Sequence, residues 1–137
     1  MMKGYDSESK TFRTADSAGV ALYQAAGALG MAARAGTMKE APAVAAREHL
    51  ADEAFVRGFG SYGGEEHVSY MLSTEAFAKA GGDDWTKWSK SIRMRLAAIQ
   101  REDGTWRGDH CITSTSFCTA ASLITLAIRP ANTPQQM

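Results

Sequence analysis

Along most of the chain, apolar residues return every third or fourth position, which is the spacing of a helix face rather than a strand. Val20, Tyr23, Ala26 and Leu29 do so within a first helix predicted over about 15–35, and Gly36 follows where a left-handed C-cap is expected. Pro42 sits where a first helical turn tolerates a missing N–H, so a second helix is predicted from there to about residue 56. Glycines at 58, 60, 63 and 64 interrupt the chain. A third helix is predicted over 65–80. Glu65 and Glu66 in its first turn complement the helix dipole, and Val68, Tyr70, Met71, Leu72 and Phe77 make it apolar around much of its girth.

Gly81 and Gly82 end that helix, and Asp83 or Asp84 is the expected cap of a fourth. Its stripe of Trp85, Trp88, Ile92, Leu96 and Ile99 advances by three and four residues, with Lys87, Lys90, Arg93 and Arg95 taking most of the remaining face. Such a helix covers a core from outside. A fifth helix is predicted over about 113–128. It carries Phe117, Leu123, Ile124 and Leu126 among alanines, with no charge before Arg129, so it is expected to be buried on nearly every side. Pro130 stops it, and 131–137 is expected to be a disordered tail.

The expected fold is therefore all-α, a single domain over 1–137 in which about five helices alternate. The first, third and fifth are inner and the second and fourth outer. The period is loose, roughly 45–55 residues, and each repeat is a helix pair that cannot bury itself alone.

Composition narrows the function. Hydrophobic residues make up 45% and charged residues 22% of 137, which excludes a wholly disordered chain. Fifteen basic residues balance fifteen acidic ones. That leaves no electrostatic footprint for nucleic acid or an anionic membrane, and little repulsion against self-association. No apolar run approaches the roughly 20 residues of a transmembrane helix, and the polar start cannot be a signal-peptide core. The expectation is cytoplasmic by default, or exported if the natural chain starts earlier. Cys111 and Cys118, seven residues apart on one helix, would stand ~10 Å from each other, too far for a disulfide.

Between the fourth and fifth helices runs Gln100-Arg-Glu-Asp-Gly-Thr-Trp106. Its Gln–Gly–Trp spacing resembles the QW repeat of squalene cyclases and the related repeat of protein prenyltransferases, in the terpene cyclase and prenyltransferase superfamily. Leu96 fits the upstream pattern of that repeat, whereas Ser91, Ile92 and Arg95 depart from it. At such a junction the Gln100 side chain can satisfy orphan backbone groups while Trp106 lies against it, and Gly104 permits the turn. The resemblance implies an α/α toroid. Five helices cannot close such a ring, so an incomplete toroid is expected, either as part of a larger chain or completed by self-association.

The chemistry of that superfamily is only partly represented. Neither the Asp-x-Asp-Asp acid motif nor the Asp-Asp-x-x-Asp magnesium motif occurs, and Asp83-Asp84 reads most simply as a helix cap. Asp109-His110-Cys111, with His67, is similar to the zinc ligands of protein prenyltransferases, a donor set suited to Zn²⁺. The order is reversed, however, because His67 precedes the Asp-x-Cys pair. The competing reading is a capping Asp109, a small buried Cys111 and a half-exposed His67; zinc is the one cofactor the resemblance offers. Tyr62, Tyr70, Phe77, Trp85 and Trp88 suit either an isoprenoid pocket or an ordinary core. His49 reads as solvated or interfacial.

Two functions compete. One is a noncatalytic or incomplete helical repeat module binding an apolar or isoprenoid ligand or a protein. The other is a prenyltransferase- or cyclase-type enzyme whose site is completed by further sequence or a second subunit. A helical bundle unrelated to the toroids is the remaining alternative.

Overall fold

The computed structural model describes residues 5–6, 11–12, 18–57, 64–109 and 111–130, with side chains from 21–56, 65–109 and 111–130. Six helices follow one another among these residues: α1 (Ala18–Ala35), α2 (Ala41–Ala51), α3 (Glu53–Arg57), α4 (Gly64–Ala80), α5 (Gly82–Ile99) and α6 (Thr115–Ala127). Ahead of them, β1 (Tyr5–Asp6) and β2 (Thr11–Phe12) pair antiparallel, Tyr5 opposite Phe12, and β2 lies against α1 and α2. The polar start of the sequence carried no signal for that pair. The expected tail over 131–137 lies outside the described residues.

The punctuation residues act largely as their chemistry requires. The Thr37 N–H reaches the Ala32 carbonyl at 2.9 Å, closing α1 at Gly36. Gly81 and Gly82 both have positive φ, 71° and 65°, a conformation that side chains with a Cβ disfavour. They make a sharp reversal between α4 and α5. Two expectations are corrected here. The second helix does not run to residue 56, because Asp52 is extended and its carboxylate accepts the Ala54 and Phe55 N–H groups at 2.8 and 3.4 Å, opening α3. The N-cap of α5 is Gly81, not an aspartate; Asp83 and Asp84 sit in the first turn, and Asp84 pairs with Arg47 of α2 at 2.9 Å.

Helix α4 is the centre of the molecule. α1 and α6 each pack against it and hardly against each other, while α2 covers α1 and α5 covers α4. Small residues allow this close approach: Ala21, Ala25, Ala28 and Ala32 on α1, Ser69, Ser73 and Ala76 on α4, Cys118, Ala121 and Ser122 on α6 are all buried. Large side chains fill between the layers. Trp88, Ile92 and Leu96 of α5 bury the predicted stripe, with Trp85 and Ile99 partly buried beside them. The Trp88 indole donates to Thr74 Oγ1 at 2.8 Å, and its ring lies 5.1 Å from that of Phe77.

Three burial expectations fail, each for a physical reason. The interior face of α4 is largely polar. Glu66, His67, Ser69, Ser73 and Thr74 are buried beside Tyr70, Ala76 and Phe77, while Val68, Met71 and Leu72 are only half so, because the faces turned to α1 and α6 carry the polar residues. Arg95 does not stand on the solvent face of α5; it is 8% exposed and faces Glu53 of α3 at 3.5 Å. Helix α6 is not enclosed, because it meets α4 on one side only. Phe117, Leu123 and Ile124 are 39%, 54% and 48% exposed.

The packing makes Leu96, wholly buried on the core face of α5, a sensitive position. Leu96→Ala should lower unfolding free energy by about 2–5 kcal/mol in urea denaturation, with the slope against urea unchanged.

Candidate functional site

The Gln100–Trp106 segment forms a built hinge between α5 and α6. Gly104, at φ 81°, donates its N–H to the Arg101 carbonyl at 2.9 Å, and the Arg101 N–H returns to the Thr105 carbonyl at 2.9 Å. Asp103 accepts both the N–H and the hydroxyl of Thr105, and these bonds hold its carboxyl below the usual carboxylate range. The motif residues divide their work differently from the sequence expectation. Gln100 Nε2 donates to the Gly104 carbonyl at 2.9 Å and so braces the loop itself. It is the Trp106 indole that reaches back into α5, donating to the Leu96 carbonyl at 2.8 Å in the last turn of the helix. Trp106 also bonds α6, its N–H donating to Thr119 Oγ1 at 3.1 Å. One buried ring thereby ties α5 to α6.

Beside the hinge, the first turn of α4 meets the start of α6. His67 is fully enclosed; its Nδ1 shares a 2.9 Å hydrogen bond with Ser122 Oγ, and its Nε2 has no hydrogen-bond partner among the described residues. Burial pushes its pKa down from 6.5 to about 4, so the ring is neutral near pH 7. The neighbouring hydroxyls mostly turn back on their own helices. Ser69, Thr74 and Thr125 donate to the carbonyls of Glu65, Tyr70 and Ala121, four residues earlier in each case.

The residues singled out for zinc come near this turn without assembling. Among the described residues, no group of three His, Cys, Asp or Glu side chains is arranged to hold a metal. Asp109 and Cys111 are exposed, whereas His67 is enclosed; His110 lies outside the described residues. Asp109 does not cap α6, since Ser114 does, accepting the Phe117 N–H at 3.3 Å. Cys111 precedes the helix rather than belonging to it, and its φ of 53° is unusual for a residue with a Cβ. Its thiol bonds the Glu65 carboxylate, and that bond, with the surrounding carboxylates, raises its pKa. Burial raises that of Cys118. Both cysteines are free thiols in settings that disfavour the thiolate a nucleophile needs.

The aromatic candidates are core residues. Tyr70 is fully buried, its hydroxyl donating to the Val56 carbonyl at 3.2 Å, and Phe77 is packed on Trp88. Tyr62 lies outside the described residues. His49 is partly buried and stacks with Phe55 at 4.7 Å. Sequence reading missed the buried His67–Ser122 pair and the buried Arg95. Neither carries a local signal, because each partner lies on a different helix.

No protein-family model, no curated protein and no solved structure matches the chain. What the fold and this geometry define is a helical protein without a membrane-length apolar helix among the described residues.

Two outcomes follow. Trp106→Phe keeps an aromatic side chain but loses the indole N–H and part of its buried volume, leaving the Leu96 carbonyl without its donor, which should cost at least about 1–3 kcal/mol in chemical denaturation. Gln100→Ala, at an exposed bond, should cost less. The second concerns pH. Because the folded state holds His67 below its unfolded pKa, the unfolded chain takes up the proton first as pH falls. Stability is therefore full above about 6.5 and is lost progressively toward about 4. His67→Gln should remove that component when thermal midpoints are compared across the same pH range.

Proposed function

We propose that the protein is a noncatalytic helical repeat module of the α/α-toroid type, whose inner row of helices is continued by a second copy of the same chain. The observation that carries this reading is the free face of α6. Phe117, Leu123 and Ile124 stand exposed on a helix with no charged residue over its thirteen positions. At the other end of the row, α1 exposes Tyr23 and Met31, each 49%. A chain of zero net charge opposes little repulsion to its own copies.

The contacts support a toroid-like order for the row. A groove lined by Gly30, Ala33 and Arg34 of α1 with Leu72, Ala76 and Lys79 of α4 brings the C-terminal halves of both helices together, as parallel neighbours require. The Gly81–Gly82 turn folds α5 back along α4. On α5 and α6, Arg93 donates to the Leu126 carbonyl at 3.1 Å, while Trp106 bridges Leu96 and Thr119. As the number rises on one helix it falls on the other, so α5 and α6 are antiparallel. α4 and α6 then run the same way, with α5 outside. This is the outer–inner alternation that the QW-like hinge implies. The noncatalytic reading is favoured by the enclosure of His67 and the disfavoured thiolates.

Leu123 and Ile124 are already about half buried, so covering the rest contributes roughly 1 kcal/mol each toward an interface. Light scattering coupled to size exclusion should give a mass of two or more chains. Leu123→Glu with Ile124→Lys should reduce it to one chain with helicity by circular dichroism unchanged. A monomer at high protein concentration, or an assembly indifferent to both substitutions, would contradict the proposal.

A further inference from the structure

The outer layer contains a cleft that neither the hinge nor the inner row uses. α5 meets α2 and α3 mainly through side chains, with Arg47–Asp84 at 2.9 Å near one end and Glu53–Arg95 at 3.5 Å near the other. A groove of about 490 Å³ opens beside the second pair, lined by Lys87, Lys90, Arg95, Met94 and Ala98 with Glu53. It adjoins a smaller compartment of about 220 Å³, which shares Lys87 and Ser91 and is otherwise walled by Leu50, Ala51, Phe77 and Trp88 with the Arg47–Asp84 pair at its rim. Three cations face one carboxylate at one end, whereas at the other a cation and a carboxylate, Arg47 and Asp84, already pair with each other beside the apolar Leu50, Phe77 and Trp88.

Arg95 is the unusual member. Its side chain is 7% exposed, its Nε is buried with no hydrogen-bond partner among the described residues, and its counter-charge is a carboxylate 73% exposed. Burying a guanidinium is costly unless its donors are met, and a separation of 3.5 Å is long for a charge-assisted bond. Glu53 stands at the first position of the five-residue α3, with its side chain largely in solvent. A planar fork of donors, already facing one carboxylate, matches another of the same shape.

The geometry points to a binding site for a small apolar carboxylate, whose acid group replaces Glu53 against Arg95 with Lys90 and Lys87 beside it, and whose hydrocarbon tail runs along α5 toward Trp88 and Phe77. The seven residues from Trp88 to Arg95 span ~10 Å, about the length of an eight-carbon chain. The larger groove has the volume usual for small-molecule sites. This inference is independent of self-association through α6.

Octanoate titrated into the isotope-labelled full chain, followed by NMR shifts of the α5 amides and the Met94 methyl, tests it. Saturable shifts centred on residues 87–98 are expected, with acetate and octylamine each binding at least tenfold more weakly. Arg95→Gln should abolish binding, and Lys90→Ala should weaken it several-fold. The decisive variant is Glu53→Gln, at an exposed position. By freeing Arg95 of its internal competitor it should tighten octanoate binding several-fold. Equal binding of octylamine, shifts elsewhere in the chain, or Glu53→Gln leaving affinity unchanged or weaker would overturn the proposal.

Discussion

The hydrogen bond from the Trp106 indole to the Leu96 carbonyl sets the relation between the two layers of this fold. It acts at a point of local need, since a helix end leaves carbonyls without intrahelical partners and burial makes each orphan costly. By meeting that need with a ring that also bonds Thr119 through its backbone, the chain fixes where α6 begins relative to α5. The Gly104 turn and the Gln100 brace make the seven-residue loop stiff enough to hold the ring in place. C-terminal to the hinge, α6 is held further by its packing on α4 and by the Arg93–Leu126 bond.

The second constraint is the central position of α4. A helix covered by α1, α5 and α6 encloses both small residues, Ser69, Ser73, Thr74 and Ala76, and large ones, His67, Tyr70 and Phe77. The Ser69 and Thr74 hydroxyls bond back to their own helix and carry their polarity inward at small cost, and His67 Nδ1 pairs with Ser122 Oγ across the α4–α6 contact. The same enclosure that admits a neutral histidine lowers its pKa to about 4. Stability and acid sensitivity thus share one origin. The outer layer is held differently, by partly exposed ion pairs such as Arg47–Asp84, which contribute roughly 0.2–1 kcal/mol each and leave a cleft between them.

Much of the helical framework was legible in the sequence, and its limits are instructive. The α5 stripe was readable because one face meets a core and the other meets water, the condition under which periodicity reports burial. α4 defeated the same logic: its buried positions mix Tyr70, Ala76 and Phe77 with Glu66, His67, Ser69, Ser73 and Thr74, so polarity gave no guide to burial. α6 failed in the opposite sense, since an apolar helix reads as buried whether or not a neighbour is present. Asp52 was passed over because nothing nearby distinguishes a capping aspartate from a helical one. The hinge was readable as a turn, but the exchange of roles between Gln100 and Trp106 required three dimensions. So did the separation of His67 from Asp109 and Cys111, residues that spacing alone had grouped together.

The central claim is that α1, α4 and α6 form a row of like-directed inner helices with α2 and α5 outside. Electron-spin distance measurements on the Cys111→Ser background test it directly, with one nitroxide at Lys79 and the other at Ala127 or Thr115. Like-directed α4 and α6 predict that Lys79 lies nearer Ala127 than Thr115, by most of the ~18 Å separating those two positions along α6. The reverse order would contradict the row, and with it the toroid-like reading of the fold.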